Sequence, residues 1–529
     1  MIPQGYLSIV LHAHLPYVRH SEFDDFLEEE WLYEAVAETY LPLILRFRQL
    51  LEEGVDFRFS MVCTPSLASM LSDPLLQQRT GRYLNRLIEL ASKEVRRTRS
   101  EAPEYVEVAS FYLDRFQRLA DLYFRQLNGD ILAGLADLQR QGVLEIMTCA
   151  ATHGFLPLLQ PVPQTVEAQV KLGAQAYRHF FGRDPRGIWL PECAFFPGLD
   201  RVLAREKLRF FLLDTHGILL ANPRPISGVY APLYTPAGVA AFGRDAESSK
   251  QVWSSKEGYP GDVCYRDFYR DIGYDLPFDY IRPYIQPTGL RKFTGLKYHR
   301  ITGTTDQKEI YRPEVALQRV ADHAGNFLFN RELQIRHLTS QIGRPPIITA
   351  PYDAELYGHW WFEGPDFLYY LAKKVHHDTS VFKLTTPIEY LERFPVQQMA
   401  MPATSSWGDK GYFDVWVNEA NDWIYPHLHE IGERMIRLAK THRNADGLLR
   451  RALNQCAREL VLAQSSDWAF LISTGTAVDY STRRTKNHVG RFLKLCDMID
   501  FYRIEEGYLA SLEAYDNLFP FIDYSIYAG

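Results

Sequence analysis

Short apolar segments that end in polar side chains recur through the first 390 residues of the chain. Segments of this length and composition are typical of parallel strands that are buried on both faces. A strand, a polar tip and a helix, repeated seven or eight times, predict a β/α barrel with its functional site at the carboxyl ends of the strands. The predicted strands are 7–11, 57–62, 143–147, 187–190, 208–213, 239–242, 346–350 and 381–384.

Two regions lack this alternation of strand and helix. Residues 73–140 have a helical pattern without strand signals, and beyond Trp416 the sequence is again helical to about residue 515. With 529 residues, the chain exceeds the size at which a single hydrophobic core usually stops growing. We therefore predict a discontinuous barrel (1–72 and 141–404), an inserted helical domain (73–140) and a C-terminal helical domain (405–529). Further predicted helices are 164–180, 312–342, 364–378, 421–444, 447–466 and 485–502.

The composition excludes several classes of protein. A net charge of -7 provides no basic surface for nucleic acid, so we expect no such partner. No apolar run reaches the roughly 18 residues that cross a membrane, and no signal peptide is recognisable. Six separated cysteines without a CxxC spacing suggest reduced thiols and a cytoplasmic protein. Aromatic residues make up 14%, which would suit a sugar-binding cleft because sugar faces stack on aromatic rings.

Three carboxyl side chains follow predicted strands and are candidates for acid–base or nucleophilic chemistry. Glu192 lies just beyond one strand, next to Trp189, while Asp353 and Glu355 lie beyond another, before the aromatic residue Trp360. Glycoside cleavage requires two such groups, one to protonate the leaving oxygen and one to attack or to activate water. Helix capping or ion pairing would equally explain each carboxylate. The residues alone do not decide between Asp353 and Glu355.

Other residues have both a functional and a structural interpretation. His12 and His14, spaced i and i+2, fit either zinc ligands or hydrogen-bond partners of sugar hydroxyls. Trp407 and Trp416, in a glycine-rich segment after the barrel, either line a substrate groove or pack the junction. The tract 243–263 looks like a long loop after a strand, and such loops are usually lids or substrate-binding walls.

Five segments of the sequence stand out as motifs: HAHLPY (12–17), ATHGFLPLL (151–159), WLPECAF (189–195), YDAELYGHWWFEG (352–364) and the segment 467–492. Together they resemble the signature blocks of glycoside hydrolase family 57. They follow one another in order along nearly the whole chain, and this makes the set far more specific than any single motif. Two further segments, GRDAESSKQVW at 243–253 and YRDFYRDIGYD at 265–275, look like blocks of the family's 1,4-α-glucan branching enzyme subgroup.

The resemblance implies an α/β fold with an incomplete (β/α)7 barrel, an inserted helical domain and an all-helical C-terminal domain. It implies that Glu192 is the nucleophile of a retaining transglycosylation and that Asp353, and not Glu355, is the general acid/base. The substrate would be an α-glucan such as amylose or glycogen, with α-1,6 branches as the product. No metal and no cofactor are implied. The residues expected to bind substrate, counting the aromatic candidates above, are His12, His14, His153, Trp360, Trp407, Trp416, Asp467 and one of the two arginines Arg266 and Arg270, between which the resemblance does not decide.

The sequence departs from the family pattern at two places. Branching members carry a mobile loop with a tyrosine over the active site, whereas the tyrosines near that place here are Tyr230 and Tyr234. Thr476 replaces a glutamine that often contacts glucan. An α-amylase or a 4-α-glucanotransferase therefore stays an alternative. From other classes, a metal-dependent α-mannosidase or deacetylase and a non-catalytic glucan-binding protein are the rivals.

Overall fold

The computed structural model describes residues 3–254, 257–285 and 288–529. Within these ranges, ten strands form one sheet, and all eight predicted strands are among them. The strands are β1 Gly5–Ala13, β2 Phe59–Cys63, β3 Leu144–Cys149, β4 Gly187–Trp189, β5 Phe210–Leu213, β6 Leu233–Tyr234, β7 Ala240–Gly243, β8 Ile347–Asp353, β9 Phe382–Leu384 and β10 Gln398–Met399.

Seven parallel strands curl into a barrel that is only just closed. Their order is β7-β5-β4-β3-β2-β1-β8. A single parallel bridge between Arg244, after β7, and Thr349 in β8 joins the two ends, and the amide of Asp245 donates a 2.9 Å hydrogen bond to the Thr349 carbonyl. Strand β9 lies beside the first residues of β1, and β6 and β10 form a short edge next to β7. The expected incomplete (β/α)7 barrel is confirmed.

The sequence of β1 shows why this sheet forms. All nine residues of GYLSIVLHA are buried, as expected for a central strand of a parallel sheet that helices cover on the outside. The register pairs His12 of β1 with Asp353, the last residue of β8. Two polar residues that lie 341 positions apart in the sequence are thus brought side by side at the carboxyl ends of neighbouring strands.

Helices pack around the barrel. The three helices that were predicted in this region are confirmed. Residues predicted as 164–180, 312–342 and 364–378 form helices with nearly the same limits. The helices between and after the barrel strands are Glu30–Ala35, Leu41–Glu52, Pro65–Ser72, Leu156–Leu159, Pro163–Phe181, Leu199–Arg205, Thr215–Leu219, Ala246–Trp253, Ile272–Asp275, Phe278–Ile281, Pro313–Ile342, Gly364–His377 and Pro387–Arg393, with a π-helical turn at Val36–Tyr40.

The two regions without strand signals are helical, as predicted. In the C-terminal region, the helix predicted at 447–466 ends at Ala463, and the last predicted helix begins at Val478 and not at 485. One hydrophobic cluster includes Leu11 of the barrel, Leu84 of the inserted region and Leu453 of the C-terminal region. The proposed limits of the three domains stay a prediction. The helices are Pro74–Glu101, Val106–Asp121 and Ile131–Arg140, then Ile424–Thr441, Gly447–Ala463, Ser466–Thr474, Val478–Asp500 and Glu506–Tyr515.

The tract 243–263 is not the long loop that we predicted. Residues Ala246–Trp253 form a helix, and the Asp245 carboxylate caps it by accepting a 2.7 Å hydrogen bond from the Ser248 amide. An aspartate before a helical pattern is a recognised N-terminal signal. This signal was present in the sequence. Residues 255 and 256 of the tract lie outside the described residues.

Two observations bear on the predicted compartment. In the described part of the chain, no helix is long and apolar enough to cross a membrane. All six cysteines fall within the described ranges as free thiols, and five of them are buried.

Candidate active site

Glu192 lies in an unusual backbone turn directly after β4. Its φ is 61° and that of Cys193 is 50°, both in the left-handed region that side chains other than glycine seldom adopt. His153, after β3, has a φ of 60°. Such conformations cost free energy and tend to occur at functional sites, where the surrounding structure holds them. Here the Trp407 amide donates a 2.8 Å hydrogen bond to the Glu192 carbonyl and holds the turn.

The carboxylate of Glu192 is buried but well supplied with hydrogen bonds. Oε2 accepts a 2.8 Å hydrogen bond from the indole nitrogen of Trp407, and Oε1 accepts one of 2.9 Å from the Ser466 hydroxyl. Burial raises the pKa of Glu192 to about 7, and the negative charge of Asp467 adds to this. The two hydrogen bonds lower the pKa and so oppose the effect of burial. The group can therefore be ionised near neutral pH although it is buried.

The carboxyl of Asp353 is more exposed to solvent than that of Glu192. It is the last residue of β8, and 37% of its side chain is exposed. Its Oδ1 lies 3.2 Å from Nδ1 of His12. A carboxyl that is hydrogen-bonded on one side and exposed on the other can exchange a proton with a group in the cleft.

Three histidines lie close to these two carboxyls. Nε2 of His12 lies 3.2 Å from Nε2 of His153, and the His14 ring stacks on His153 with 3.8 Å between centroids. Burial lowers the pKa of His12 and of His153, so both are neutral. For His14, burial would also lower the pKa, but Asp467, 3.0 Å from its Nε2, together with the charges of Glu192 and Glu355 outweighs burial, so the pKa is raised.

These histidines have the spacing that a metal site would require, but their nitrogens already have partners. The ligand atoms of His14, His153 and Asp467 lie within 4.8 Å of one another. However, His14 contacts Thr64 and Asp467 through its two nitrogens, and the nitrogens of His12 and His153 also have hydrogen-bond partners. The arrangement fits a hydrogen-bond network, and the expectation of no metal stays a prediction.

The carboxylate of Glu355, the other candidate for the general acid, is held by hydrogen bonds from neighbouring residues. Its Oε1 accepts hydrogen bonds from the Tyr40 hydroxyl and, at 3.3 Å, from the His14 amide. Tyr40 ends the π-helical turn Val36–Tyr40, a type of turn that is frequent at functional sites. Burial raises the pKa of Glu355 to about 7, and the Asp353 charge adds to this. These contacts favour a role in positioning β1 and β8.

Two of the predicted aromatic residues offer surface to a ligand. Trp407 is partly exposed and meets Trp189 edge to face, with 5.0 Å between ring centroids. Trp360 is 54% exposed and stacks with one face on Phe268, at 4.5 Å. An indole that is held on one side and open on the other can stack on a sugar.

Trp416 and Arg266, two of the residues expected to bind substrate, are buried. Trp416 is 1% exposed and stacks on Phe155 at 4.9 Å, so neither face is available to a sugar. Arg266 is buried between Glu38, the carbonyl of His359 and the ring of Phe362. Both residues pack in the interior, and their role in binding substrate stays a prediction.

Arg270, the second arginine of that motif, forms an ion pair of 2.7 Å with Asp275. Its role in binding substrate stays a prediction.

Two residues that were not predicted from the sequence, Arg244 and Ser466, lie at the site. The guanidinium of Arg244 lies 5.8 Å from the ring centroid of Trp407, beside a cavity of about 330 Å³. Ser466 binds Glu192, as described above. Arg244 follows a predicted strand, and this position was a usable signal, whereas Ser466 had none. The cavity is lined by Asp214, Thr215, Arg244, Ala246, Ser249, Lys250, Trp253 and Ser254.

Comparison with known families gives two matches that together span most of the chain. Residues 8–403 match the model of glycosyl hydrolase family 57. Residues 427–527 match the model described as "1,4-alpha-glucan branching enzyme, C-terminal".

Similar proteins include two branching enzymes and an amylase. A 1,4-alpha-glucan branching enzyme of Thermococcus kodakarensis is 34% identical, over 98% of this chain and 77% of that protein. The crystal structure of an alpha-amylase from Thermotoga maritima is 47% identical, with a TM-score of 0.93 and 99% of each chain covered. The crystal structure of a branching enzyme of Pyrococcus horikoshii is 33% identical, with a TM-score of 0.89, and covers 99% of this chain and 97% of its own.

Proposed function

The chain belongs to glycosyl hydrolase family 57, and we propose that it is a 1,4-α-glucan branching enzyme that cleaves α-1,4 bonds and forms α-1,6 branches. The observation that carries this proposal is the match of residues 427–527 to the C-terminal model of branching enzymes. A second observation supports the proposal: a relative named as a 1,4-alpha-glucan branching enzyme aligns with 98% of the chain. Because the family is one of glycoside hydrolases, the reaction must act on glycosidic bonds.

We assign the chemistry to the two carboxyls at the ends of β4 and β8. Glu192 attacks the anomeric carbon, the bond from that carbon to the glycosidic oxygen breaks, and Asp353 gives its proton to the departing chain. The 6-hydroxyl of a second glucan then attacks the glycosyl-enzyme, Asp353 takes the hydroxyl proton, and Glu192 is released as a carboxylate. Two inversions at one carbon retain the α configuration.

The geometry around each carboxyl supports these roles. Glu192 accepts two hydrogen bonds, which favour the ionised form that a nucleophile needs. Asp353 is partly exposed and can reach a glycosidic oxygen in the cleft. Trp407 and Arg244, next to Glu192, are candidates for holding the glucan.

An α-amylase is the second candidate, and a specific feature of the structure favours it. The segment between β6 and β7, residues 235–239, is a tight hairpin in which the Thr235 amide donates to the Val239 carbonyl at 2.9 Å. Tyr234 lies within β6, and Tyr230 is half-buried beside β8, where its carbonyl binds Ile347. Neither tyrosine is on a long loop over the site. The 47% identity to an alpha-amylase points the same way.

Product linkages separate the two candidates. Amylose is incubated with the enzyme, and the product is debranched with an α-1,6-specific glucosidase before chain-length analysis. A branching enzyme yields new α-1,6 linkages and little reducing sugar. An amylase yields reducing ends in proportion to the bonds cleaved and no new chains on debranching, and that result would refute the proposal.

The remaining parts of the proposal concern location and the rival classes. Free, mostly buried thiols support a cytoplasmic location, and the net charge of -7 supports the absence of a nucleic-acid partner. Full activity after exhaustive chelation would exclude a metal-dependent enzyme. Loss of all turnover in Glu192→Gln would exclude a non-catalytic glucan-binding protein.

A further inference from the structure

Five side chains form an unbroken chain of hydrogen-bond contacts from one proposed catalytic carboxyl to the other. Asp353 Oδ1 is 3.2 Å from Nδ1 of His12, and Nε2 of His12 is 3.2 Å from Nε2 of His153. Nδ1 of His153 is 2.9 Å from the Ser466 hydroxyl, which is 2.9 Å from Oε1 of Glu192. All four contacts lie within, or at the limit of, hydrogen-bond distance.

His12, His153 and Ser466 each have one proton to donate, so all hydrogen bonds along this chain of side chains must point in the same direction. A neutral imidazole has one donor and one acceptor nitrogen, and a hydroxyl has one proton to donate. Burial keeps His12 and His153 neutral. If Ser466 donates to the Glu192 carboxylate, it accepts from Nδ1 of His153. Nε2 of His153 then accepts from His12, whose Nδ1 is left as an acceptor, so the proton between it and Asp353 must belong to Asp353.

We infer that this chain couples the two carboxyls, so that an ionised Glu192 and a protonated Asp353 stabilise each other, with Ser466 as the positioning residue of the coupling. The inference rests on the proposed function. It describes the state that the first displacement requires, with the nucleophile charged and the acid protonated.

With every donor and acceptor reversed, the same hydrogen-bond chain matches the protonation state of the glycosyl-enzyme. When Asp353 has given up its proton, Nδ1 of His12 must donate to it, so both imidazoles adopt the other tautomer. Ser466 then donates to Nδ1 of His153 and no longer to Glu192. Glu192 is an ester at this stage and carries no charge that needs a donor, while Asp353 is the carboxylate that does. The number of protons on the two imidazoles and the hydroxyl is the same in both directions.

Ionising both carboxyls at once disrupts the chain at its centre. Ser466 would donate to Glu192 and Nδ1 of His12 to Asp353, so the two Nε2 atoms would face each other at 3.2 Å without a proton between them. Two lone pairs at this distance repel each other. The hydrogen-bond chain therefore favours the states in which one of the two carboxyls is ionised and the other is protonated.

Other titratable groups surround the chain and are the same in the variants below. Asp467 and His14, themselves an ion pair, act on Glu192 and on His12. Glu355 lies on the side of Asp353. The remaining groups are Cys149 below the two imidazoles, Cys193 and Tyr425 near Glu192, and Arg244 with Asp214 beyond Cys193.

The test is the pH profile of kcat/KM for Ser466→Ala, measured as the initial loss of iodine-stained amylose. We expect the acid limb to move up and the basic limb to move down, each by about one pH unit, because a hydrogen bond to a charged group has about that effect. Trp407→Phe is the matched control. It removes the other donor to Glu192, which is outside the chain, so only the acid limb should move. Ser466→Thr keeps the hydroxyl and should restore both limbs.

Movement of the acid limb alone in Ser466→Ala would overturn the inference, because a merely local bond predicts that result. A Ser466→Thr profile like that of Ser466→Ala would also overturn it. If Ser466→Ala does not fold, as judged by circular dichroism, Ser466→Gly is measured in its place. The loss of iodine staining reports cleavage of amylose whether the cleaved glucan segment is transferred to another glucan or to water. The test therefore remains valid even if the enzyme forms no branches. Turnover that survives Glu192→Gln would instead refute the assigned site.

Discussion

Trp407 binds Glu192 twice, through its indole nitrogen to the carboxylate and through its amide to the backbone carbonyl, each at 2.8 Å. The two residues are 215 positions apart in the sequence. The first bond favours the ionised carboxylate, and the second holds the strained turn that presents it. Trp407 is therefore part of the candidate active site and not only of the junction between barrel and C-terminal helices.

Replacing Trp407 by Ala should weaken the binding of glucan. The loss of a stacking surface costs about 1 kcal/mol or more, which corresponds to a rise of about fivefold in the apparent KM for amylose. The ratio of transfer to hydrolysis should also fall, because a glucan acceptor depends on binding more than water does. Reducing-end and branch analyses on the same sample give both numbers. An unchanged KM and ratio would contradict this role.

Trp416→Ala is the matched comparison and should act on stability. The buried Trp416 ring packs on Phe155, and removing a buried Trp costs about 3 to 5 kcal/mol of unfolding free energy. Thermal or chemical unfolding measures this loss, and the product ratio measured well below the transition should stay that of the wild type. A stable variant with altered products would mean that Trp416 contacts substrate.

The acid limb of the pH profile should reflect the titration of Glu192. Burial raises the pKa of this group to about 7, and the nucleophile must be ionised. kcat/KM therefore has its full value above this pKa and falls as the pH drops through the pKa. A profile measured from pH 4 to pH 9 should have its acid limb near 7. A limb below about 5 would contradict this prediction, because kcat/KM reports the free enzyme and the limb would then belong to another group.

Asp353→Ala should affect substrates according to their leaving groups. A glucan leaving group needs protonation, whereas an activated aryl α-glucoside needs little, so the rate of glycosyl-enzyme formation should fall much more for the glucan. Glu355→Gln is the control, since it keeps the shape of a side chain that binds Tyr40 and the His14 amide. If Glu355→Gln showed the strong dependence on the leaving group and Asp353→Ala did not, the assignment would be reversed.

Much of the barrel could be predicted because its signals are local. All eight apolar runs are strands, since a strand buried on both faces is apolar along its length. The helix Ala246–Trp253 was missed although its Asp245 cap was visible. The two-residue strands β6 and β10 carry too few residues to have a pattern.

Predictions for the site were less complete because its contacts are distant in sequence. The positions of Glu192 and Asp353 at strand ends could be read directly. The contact of Ser466 with Glu192 spans 274 residues, and no local pattern indicates it. For Trp416 and Arg266, the sequence indicated an aromatic and a charged residue near the site. Their burial depends on how Phe155 and Glu38 pack against them, and no local pattern indicates these contacts.

The most direct test of the account is to identify the residue that becomes glycosylated. The enzyme is incubated with 5-fluoro-α-glucosyl fluoride, which reacts quickly and whose glycosyl-enzyme hydrolyses slowly, and is then digested and mapped by tandem mass spectrometry. Glu192→Gln serves as the control. The account predicts one added fluoroglucosyl group, on Glu192, and none in the control. A label on Asp353 or Glu355, or an unlabelled enzyme that still turns over amylose, would contradict it.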